Sequence, residues 1–140
     1  MAFDTPMMGL SLERAKWSDQ VEADFKRVRD QTPRELDMLE HQVAFGKWGL
    51  FAVMHEGEAV GHCVFSVDTE IDGQRVFSIN ALGARLVAGE DVAGFIIDTA
   101  RHLAKAGDCR AVRAWTTRRG LVRKALAKGA IFRFEMELEI

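Results

Sequence analysis

The sequence predicts an α/β (α+β) fold, a mixed and mostly antiparallel twisted sheet with helices on both faces. Three observations carry this. Apolar residues switch repeatedly between a period of two and a period near 3.6, the signatures of strand and helix. Two tight turns, Glu56-Gly57-Glu58 and Asp72-Gly73, join three alternating segments into a meander. Finally, Ile79 to Ala114 runs strand, short loop, amphipathic helix, Gly107 and strand. That order describes a right-handed crossover between parallel neighbours.

Taken in order, Gly9 to Lys16 holds a short alternating piece around Leu10 and Leu12, weakly strand-like. Ser18 is a helix cap, and the helix it opens is expected to reach Gln31 with Val21, Phe25 and Val28 on one face. Thr32-Pro33-Arg34-Glu35 is a strong start signal: a Thr cap, Pro at the first helical position and Glu at the capping-box position. The helix that follows turns Leu36, Leu39 and Val43 inward and stops near Gly46. Gly49 to Met54 and Val60 to Val67 form a hairpin, and Arg75 to Leu86 adds the third strand of the meander. Asp91 to Lys105 is the clearest helix, with Val92, Phe95, Ile96, Thr99 and Leu103 on one stripe and Gly107 as its stop. Arg110 to Trp115 is a strand and Arg119 to Lys128 a helix ended by Gly129. Ile131 to Ile140 is a last strand, alternating Glu135, Glu137 and Glu139 with Met136, Leu138 and Ile140.

The 140 residues make a single domain, 48% apolar and 29% charged, ordinary globular values. No run reaches the roughly 18 apolar residues of a membrane helix, and Met1-Ala2-Phe3-Asp4 lacks a signal-peptide pattern. A cytoplasmic protein is expected, or one in a particle assembled there. Cys63 and Cys109 read as buried thiols, and no His, Cys, Asp or Glu cluster has metal-ligand spacing, so no metal is expected. The net charge of -2 hides an asymmetry. From Arg101 to Phe134 stand Arg101, Lys105, Arg110, Arg113, Arg118, Arg119, Arg123, Lys124, Lys128 and Arg133 against Asp108 alone. Such segregation fits an oriented contact with an acidic partner, or a solvated basic helix beside an acidic one.

The order strand, two helices, three antiparallel strands, helix, strand, helix, strand resembles the GNAT acetyltransferase superfamily. Leu50 to Phe65 looks like that family's second and third strands, Ala100 to Val112 like its central helix and next strand, and Arg123 to Ala130 like its last helix and following Gly. The similarity spans most of the chain through order and spacing, each motif being weak alone. Within the superfamily the chain is similar to the small GNAT-like proteins of tailed bacteriophages. The residues concerned are Leu86-Val-Ala-Gly89, Ala106-Gly-Asp-Cys109 and Arg118-Arg-Gly-Leu121.

The resemblance implies a CoA-pyrophosphate loop of the form Arg/Gln-x-x-Gly-x-Gly/Ala after the third meander strand. Counted from Arg85, the glycine positions hold Ala88 and Glu90, while Gly89 and Gly94 are out of register. If CoA were bound, Leu86, Val87, Ala88, Gly89 and Gly94 would line it. Glu90 and Asp91 instead cap and neutralise the start of the helix, where an anion would sit. Gly94 is read as a point of close packing between helix and sheet. The family's general acid is a Tyr four residues before the terminal Gly of the last helix; here that position is Ala125, and Tyr is absent altogether. Its general base lies on the third meander strand, where the polar residues are Ser78 and Asn80, neither an effective base at neutral pH.

Other chemistry-bearing residues read more plainly as structure. His62 and Cys63 are strand neighbours facing opposite ways, one toward the core and the other toward the surface or a groove. His41 and His102 lie on helices without a visible partner, and His55 sits at a turn. Trp17, Trp48 and Trp115 stand near element ends, and Trp115 is placed to line a groove mouth.

Two readings of function follow. In the first, the chain is a non-catalytic protein-binding module, a phage virion or assembly component. It has no catalytic residue and no expected cofactor, and Arg118, Arg119, Arg123, Lys124 and Lys128 face an acidic protein surface, such as that of another virion protein. In the second it is an acetyl-CoA-dependent N-acetyltransferase with an atypical loop. Nucleic acid held by the basic last helix trails both readings, because phosphate contacts are present without a readout element. No membrane contact is expected.

Overall fold

The computed structural model describes residues 2–4, 9–27, 32–116, 118–131 and 138. Among the described residues six strands form one sheet in sequence order: β1 (Ala2–Asp4), β2 (Leu10–Arg14), β3 (Gly49–His55), β4 (Glu58–Thr69), β5 (Arg75–Ala84) and β6 (Ala111–Ala114). Neighbours from β1 to β5 are antiparallel; β5 and β6 are parallel. The helices are α1 (Asp19–Lys26), α2 (Pro33–Ala44), α3 (Val92–Ala106) and α4 (Arg119–Ala127). The sequence expectation of a mostly antiparallel mixed sheet with one parallel step holds. The strand β1 was not anticipated; three residues are too short to show a period. The expected strand from Ile131 to Ile140 falls almost wholly on residues 132–137, 139 and 140, outside the described residues.

Local chemistry fixes the element ends. The Ser18 hydroxyl accepts from Val21 N–H at 3.3 Å, and the Thr32 hydroxyl accepts from Glu35 N–H at 3.2 Å, as capping residues do. Helix α1 ends at Lys26, with Arg27 as its C-cap, and the expected reach to Gln31 runs onto residues 28–31, which lie outside the description. Glu56 and Gly57 both take positive φ (50° and 80°), the backbone of a primed two-residue turn that matches the twist of β3 and β4. Strand β5 stops at Ala84, two residues before the expected Leu86, although Arg85 N–H still reaches Val60 C=O at 2.9 Å.

Both faces of the sheet are covered. On one face Leu12, Val53, Cys63, Phe65 and Phe77 pack against Phe95, Ile96, Ala100 and Ala104 of α3. On the other, Leu50, Val64 and Ala81 pack against Val21 and Phe25 of α1 and Leu36 and Leu39 of α2. A bulge sits in the middle of this arrangement. Val64 pairs with Ala81 but Phe65 pairs with Ile79, so Asn80 is the extra residue. Asn80 and Ala81 therefore both face α1 and α2, since Asn80 Nδ2 donates to Ser66 Oγ and Ala81 belongs to that helical cluster.

Helix α1 lies directly on the sheet at Gly83. A Cβ built there would stand 2.5 Å from Asp24 C=O oxygen and 2.8 Å from its carbon. Beside it Asp24 is buried, accepting from His62 Nδ1 at 2.7 Å, from Gln20 Nε2 at 3.0 Å and from the Arg27 guanidinium. His62 is thus 5% exposed beneath α1, rather than on the surface or a groove wall, while Cys63 faces the α3 side as alternation requires.

The Gly83→Ala variant should lose about 1–3 kcal/mol, because the obstacle is helix backbone that must lift off the sheet. Gly120→Ala, at a position in α4 where nothing lies within 4 Å, should gain up to about 1 kcal/mol from helix propensity. Urea unfolding of both variants checks the pair; equal effects would mean α1 is not seated as described.

Candidate functional site

The loop from Arg85 to Asp91 joins β5 to α3 and decides what the start of α3 can hold. Leu86 is fully exposed, Ala88 and Gly89 are exposed, and Val87 packs half-buried on the α3-side core. Gly89 takes a φ of 77°, closing a turn in which Glu90 N–H donates to Val87 C=O at 3.1 Å. Leu86, Val87 and Ala88 share a cleft of about 380 Å³ with His55, Val60 and Arg85.

Asp91 is the N-cap of α3. Its Oδ1 accepts from Gly94 N–H at 3.0 Å, and its carbonyl accepts from Phe95 N–H at 2.9 Å. Lys124 reaches over from α4 and places Nζ 2.6 Å from the same Oδ1. The Lys124 ammonium holds the Asp91 carboxyl below the usual carboxylate range, helped by the Gly94 N–H. Gly94 is correspondingly explained differently from the sequence expectation. The atoms that a Cβ would meet there are those of the Asp91 carboxylate, the nearest at 2.3 Å, not the sheet. Gly94 leaves room for the cap to fold onto the helix end.

Glu90 does something else. Its side chain is 12% exposed and turns toward β3, with Oε1 3.5 Å from His55 Nε2 and Oε2 without a hydrogen-bond partner among the described residues. The two adjacent carboxylates therefore do not act together at the helix start. Of the two, Asp91 is the one that caps it.

The basic segment is largely engaged within the molecule. Arg118 Nη2 donates to Leu82 C=O at 2.8 Å, beyond the point where β6 ceases to pair with β5. Lys124 holds Asp91, and Lys128 Nζ lies 2.9 and 3.0 Å from the two oxygens of Asp98. Arg110 and Arg113 both grip Glu70 and hold its carboxyl below the usual range, Arg110 contributing most. Arg119 and Arg123, one helical turn apart on α4, remain exposed and without an ion-pair partner among the described residues.

A second cleft, of about 460 Å³, opens where the parallel ladder stops at Ile79 and Ala114 while β5 continues. Trp115 lines it, as its position in the sequence implied, together with Trp48, Asp68, Ser78 and Asn80. Asp68 is not among the residues expected from the sequence, because it stands on β4 and not on the third meander strand, β5. Ser66 pairs with Ser78 across the hairpin, which brings Ser66, Asp68, Ser78 and Asn80 onto one face. The register of the Asp72-Gly73 turn was the signal that could have found it.

Of the remaining candidates, Ala125 is half-buried on α4. Burial pushes the Cys63 thiol far up, which leaves no thiolate for nucleophilic work. His41 stacks on Phe45 with ring centroids 6.3 Å apart. Among the described residues there is no group of three His, Cys, Asp or Glu that could hold a metal, and no helix is long and apolar enough to cross a membrane.

No protein-family model and no curated protein matches this chain. Solved structures do match. A ribosomal-protein-alanine N-acetyltransferase from Brucella melitensis aligns over 94% of this chain and 99% of its own, at 14% identity and a TM-score of 0.69. An aminoglycoside N-acetyltransferase in complex with CoA aligns over 97% of both chains, at 13% identity and TM-score 0.64. A Trypanosoma brucei acetyltransferase aligns over 94% and 99%, at 14% identity and TM-score 0.59. At such identities the likeness is one of fold: the chain has the fold of the GNAT acetyltransferases.

The residues at the start of α3 do not fit the pyrophosphate of an acyl-CoA. The Gly94 N–H, which an incoming anion would need, is taken by a carboxylate of the chain itself. A second negative group there would meet Asp91 in a partly shielded site.

Asp91→Ala should cost about 1 kcal/mol at neutral pH through loss of the cap. Because the folded-state carboxyl titrates below its ordinary value of 3.8, this stabilisation is complete above that value and is lost as pH falls through the lower folded value. The difference in urea midpoint between wild type and variant should shrink as pH drops from 6 toward about 2.5. A constant difference would remove the ionic part of the cap.

Proposed function

We propose that this chain is a GNAT-fold protein with a degenerate acyl-CoA site that works as a non-catalytic protein-binding component. The observation that supports it best is the Asp91 carboxylate closed onto the first turn of α3 and braced by Lys124. A built-in anion, held at two points, occupies the place of the ligand. Ala125, where the family's general acid would stand, agrees with it, since a methyl group donates no proton. The binding surface in this proposal is the exposed pair Arg119 and Arg123, facing an acidic protein, with Arg118, Lys124 and Lys128 fixing the helix that presents them. A phage virion or assembly setting belongs to the same proposal and rests on the local sequence likenesses alone.

The second reading, an acetyl-CoA-dependent N-acetyltransferase, is favoured by one observation: the structural neighbours named above are acetyltransferases, and one of them holds CoA. Fold alone does not decide between the two.

Calorimetry with acetyl-CoA separates them. The proposal expects no heat from wild type at millimolar ligand, and a weak signal from Asp91→Gly, which removes the internal anion. Micromolar binding by wild type would make the enzyme reading the better one. For the surface, binding of poly-L-glutamate should weaken at least about fivefold when Arg119 and Arg123 are both changed to Glu, and should fall with added salt. Preference for duplex DNA over polyglutamate would replace the acidic protein with nucleic acid.

A further inference from the structure

The loop between β5 and α3 has its burial inverted. Leu86 is 100% exposed, while the Glu90 side chain is 12% exposed. Glu90 is tucked against two other elements. Its Oε1 lies 3.5 Å from His55 Nε2 at the end of β3, and 3.8 Å from the place that a Cβ on Gly9, just before β2, would take. Its Oε2 is buried and has no hydrogen-bond partner among the described residues. The adjoining cleft offers it no guanidinium or ammonium: Glu56 and Glu58 share its sign, and Arg85 is drawn to Glu58 at 3.5 Å. A leucine in water and a buried carboxyl oxygen without a donor are both unfavourable, and exchanging them would relieve both.

The loop is built to allow that exchange. Its ends are fixed: Arg85 N–H donates to Val60 C=O at 2.9 Å, and Asp91 is held as the cap of α3. Between them Glu90 N–H donates to Val87 C=O at 3.1 Å, closing a turn on Gly89. Gly89 has a φ of 77° and open space around it, so it can absorb a change of backbone angle that a residue with a Cβ would resist. Beside Leu86 lies the cleft of about 380 Å³, which Leu86 itself lines together with Val60, Val87 and Ala88. That volume has room for a leucine side chain, and the three small apolar residues give it a surface to rest on.

We propose that the segment from Leu86 to Glu90 is a strap with two positions. In the position described, Glu90 is tucked against His55 and Leu86 stands in solvent. In the other, Gly89 turns, Glu90 swings out to water, and Leu86 folds down onto Val60 and closes the cleft. The two movements are coupled because both side chains hang on one short turn between fixed ends. Whatever occupies the cleft competes with Leu86 for it, so the strap controls access to that cleft. Asp91 keeps its place on α3 in both positions, and the strap therefore operates whether or not an acyl donor or an acidic partner binds.

The test uses the full chain with methyl-labelled leucine and valine, followed by NMR relaxation dispersion and methyl–methyl NOEs. The methyls of Leu86, Val60 and Val87 should share one exchange process on the microsecond-to-millisecond scale. Leu12 and Leu50, packed in the two cores, should not show it. Glu90→Lys, which disfavours the tucked site, should strengthen the Leu86–Val60 NOE at least about twofold. Glu90→Leu, which fills that site with an apolar side chain, should abolish the exchange and keep Leu86 in solvent. Leu86→Ser should quench the exchange at Val60 and Val87. Because it trims a fully exposed side chain, it keeps the test decisive if the Glu90 variants unfold. Absence of exchange at Leu86, with an NOE to Val60 that Glu90→Lys leaves unchanged, would overturn the proposal. So would exchange at Val60 and Val87 that persists at the same rate in Leu86→Ser, which would mean that something other than this leucine moves over the cleft.

Discussion

The ladder between β4 and β5 is the constraint on which the rest of the molecule depends. It lies inside the sheet, covered on one face by α3 and on the other by α1 and α2, so each alternate residue is committed to one of two cores. Cys63, Phe65 and Phe77 serve one; Val64 and Ala81 serve the other. A slip of one residue would exchange the two sets and place His62 and the serines under α3. The bulge at Asn80 is compatible with this only because it changes the phase once, setting Asn80 beside the cleft and Ala81 in the core.

Both candidate sites are consequences of that ladder. β5 outruns β6, so the parallel pairing ends at Ile79 and Ala114, beside the cleft that Asp68, Ser78 and Trp115 line. Arg118 crosses the gap to Leu82 C=O and satisfies a carbonyl that a paired neighbour would otherwise have taken. At its far end β5 delivers the chain to the turn at Gly89 and to the Asp91 cap. The same strand thus supplies an open, negatively lined cleft and a helix terminus already closed by its own anion.

The charge segregation along the chain has a comparable explanation. Much of the basic final third is paired within the molecule. Arg110 and Arg113 bind Glu70, Lys124 binds Asp91, and Lys128 binds Asp98, each joining the later elements to earlier ones. These exposed or half-exposed pairs are individually modest in energy. Their effect is to fix how α4 and β6 sit against α3 and the hairpin loop. Arg119 and Arg123 stand out because they are not used in this way.

Apart from β1, the sequence by itself determined the described elements and their order. Ser18, Thr32-Pro33, Glu56-Gly57, Asp72-Gly73, Asp91 and Gly107 act within a few residues of themselves, so caps and turns were legible without any tertiary contact. The alternation of Leu10 and Leu12 and the stripe Val92, Phe95, Ile96 and Thr99 likewise carry their own period. Tertiary structure alone decided what those residues meet. That Gly94 makes room for a carboxylate, that His62 is buried on Asp24, that Glu90 turns to His55 and that Asp68 lies against Ser78 are all contacts across elements. Each depends on strand register, on one bulge and on where a helix rests on the sheet. These are set by the packing of the whole chain, and a side chain's local sequence does not encode the neighbour that arrives from elsewhere in it.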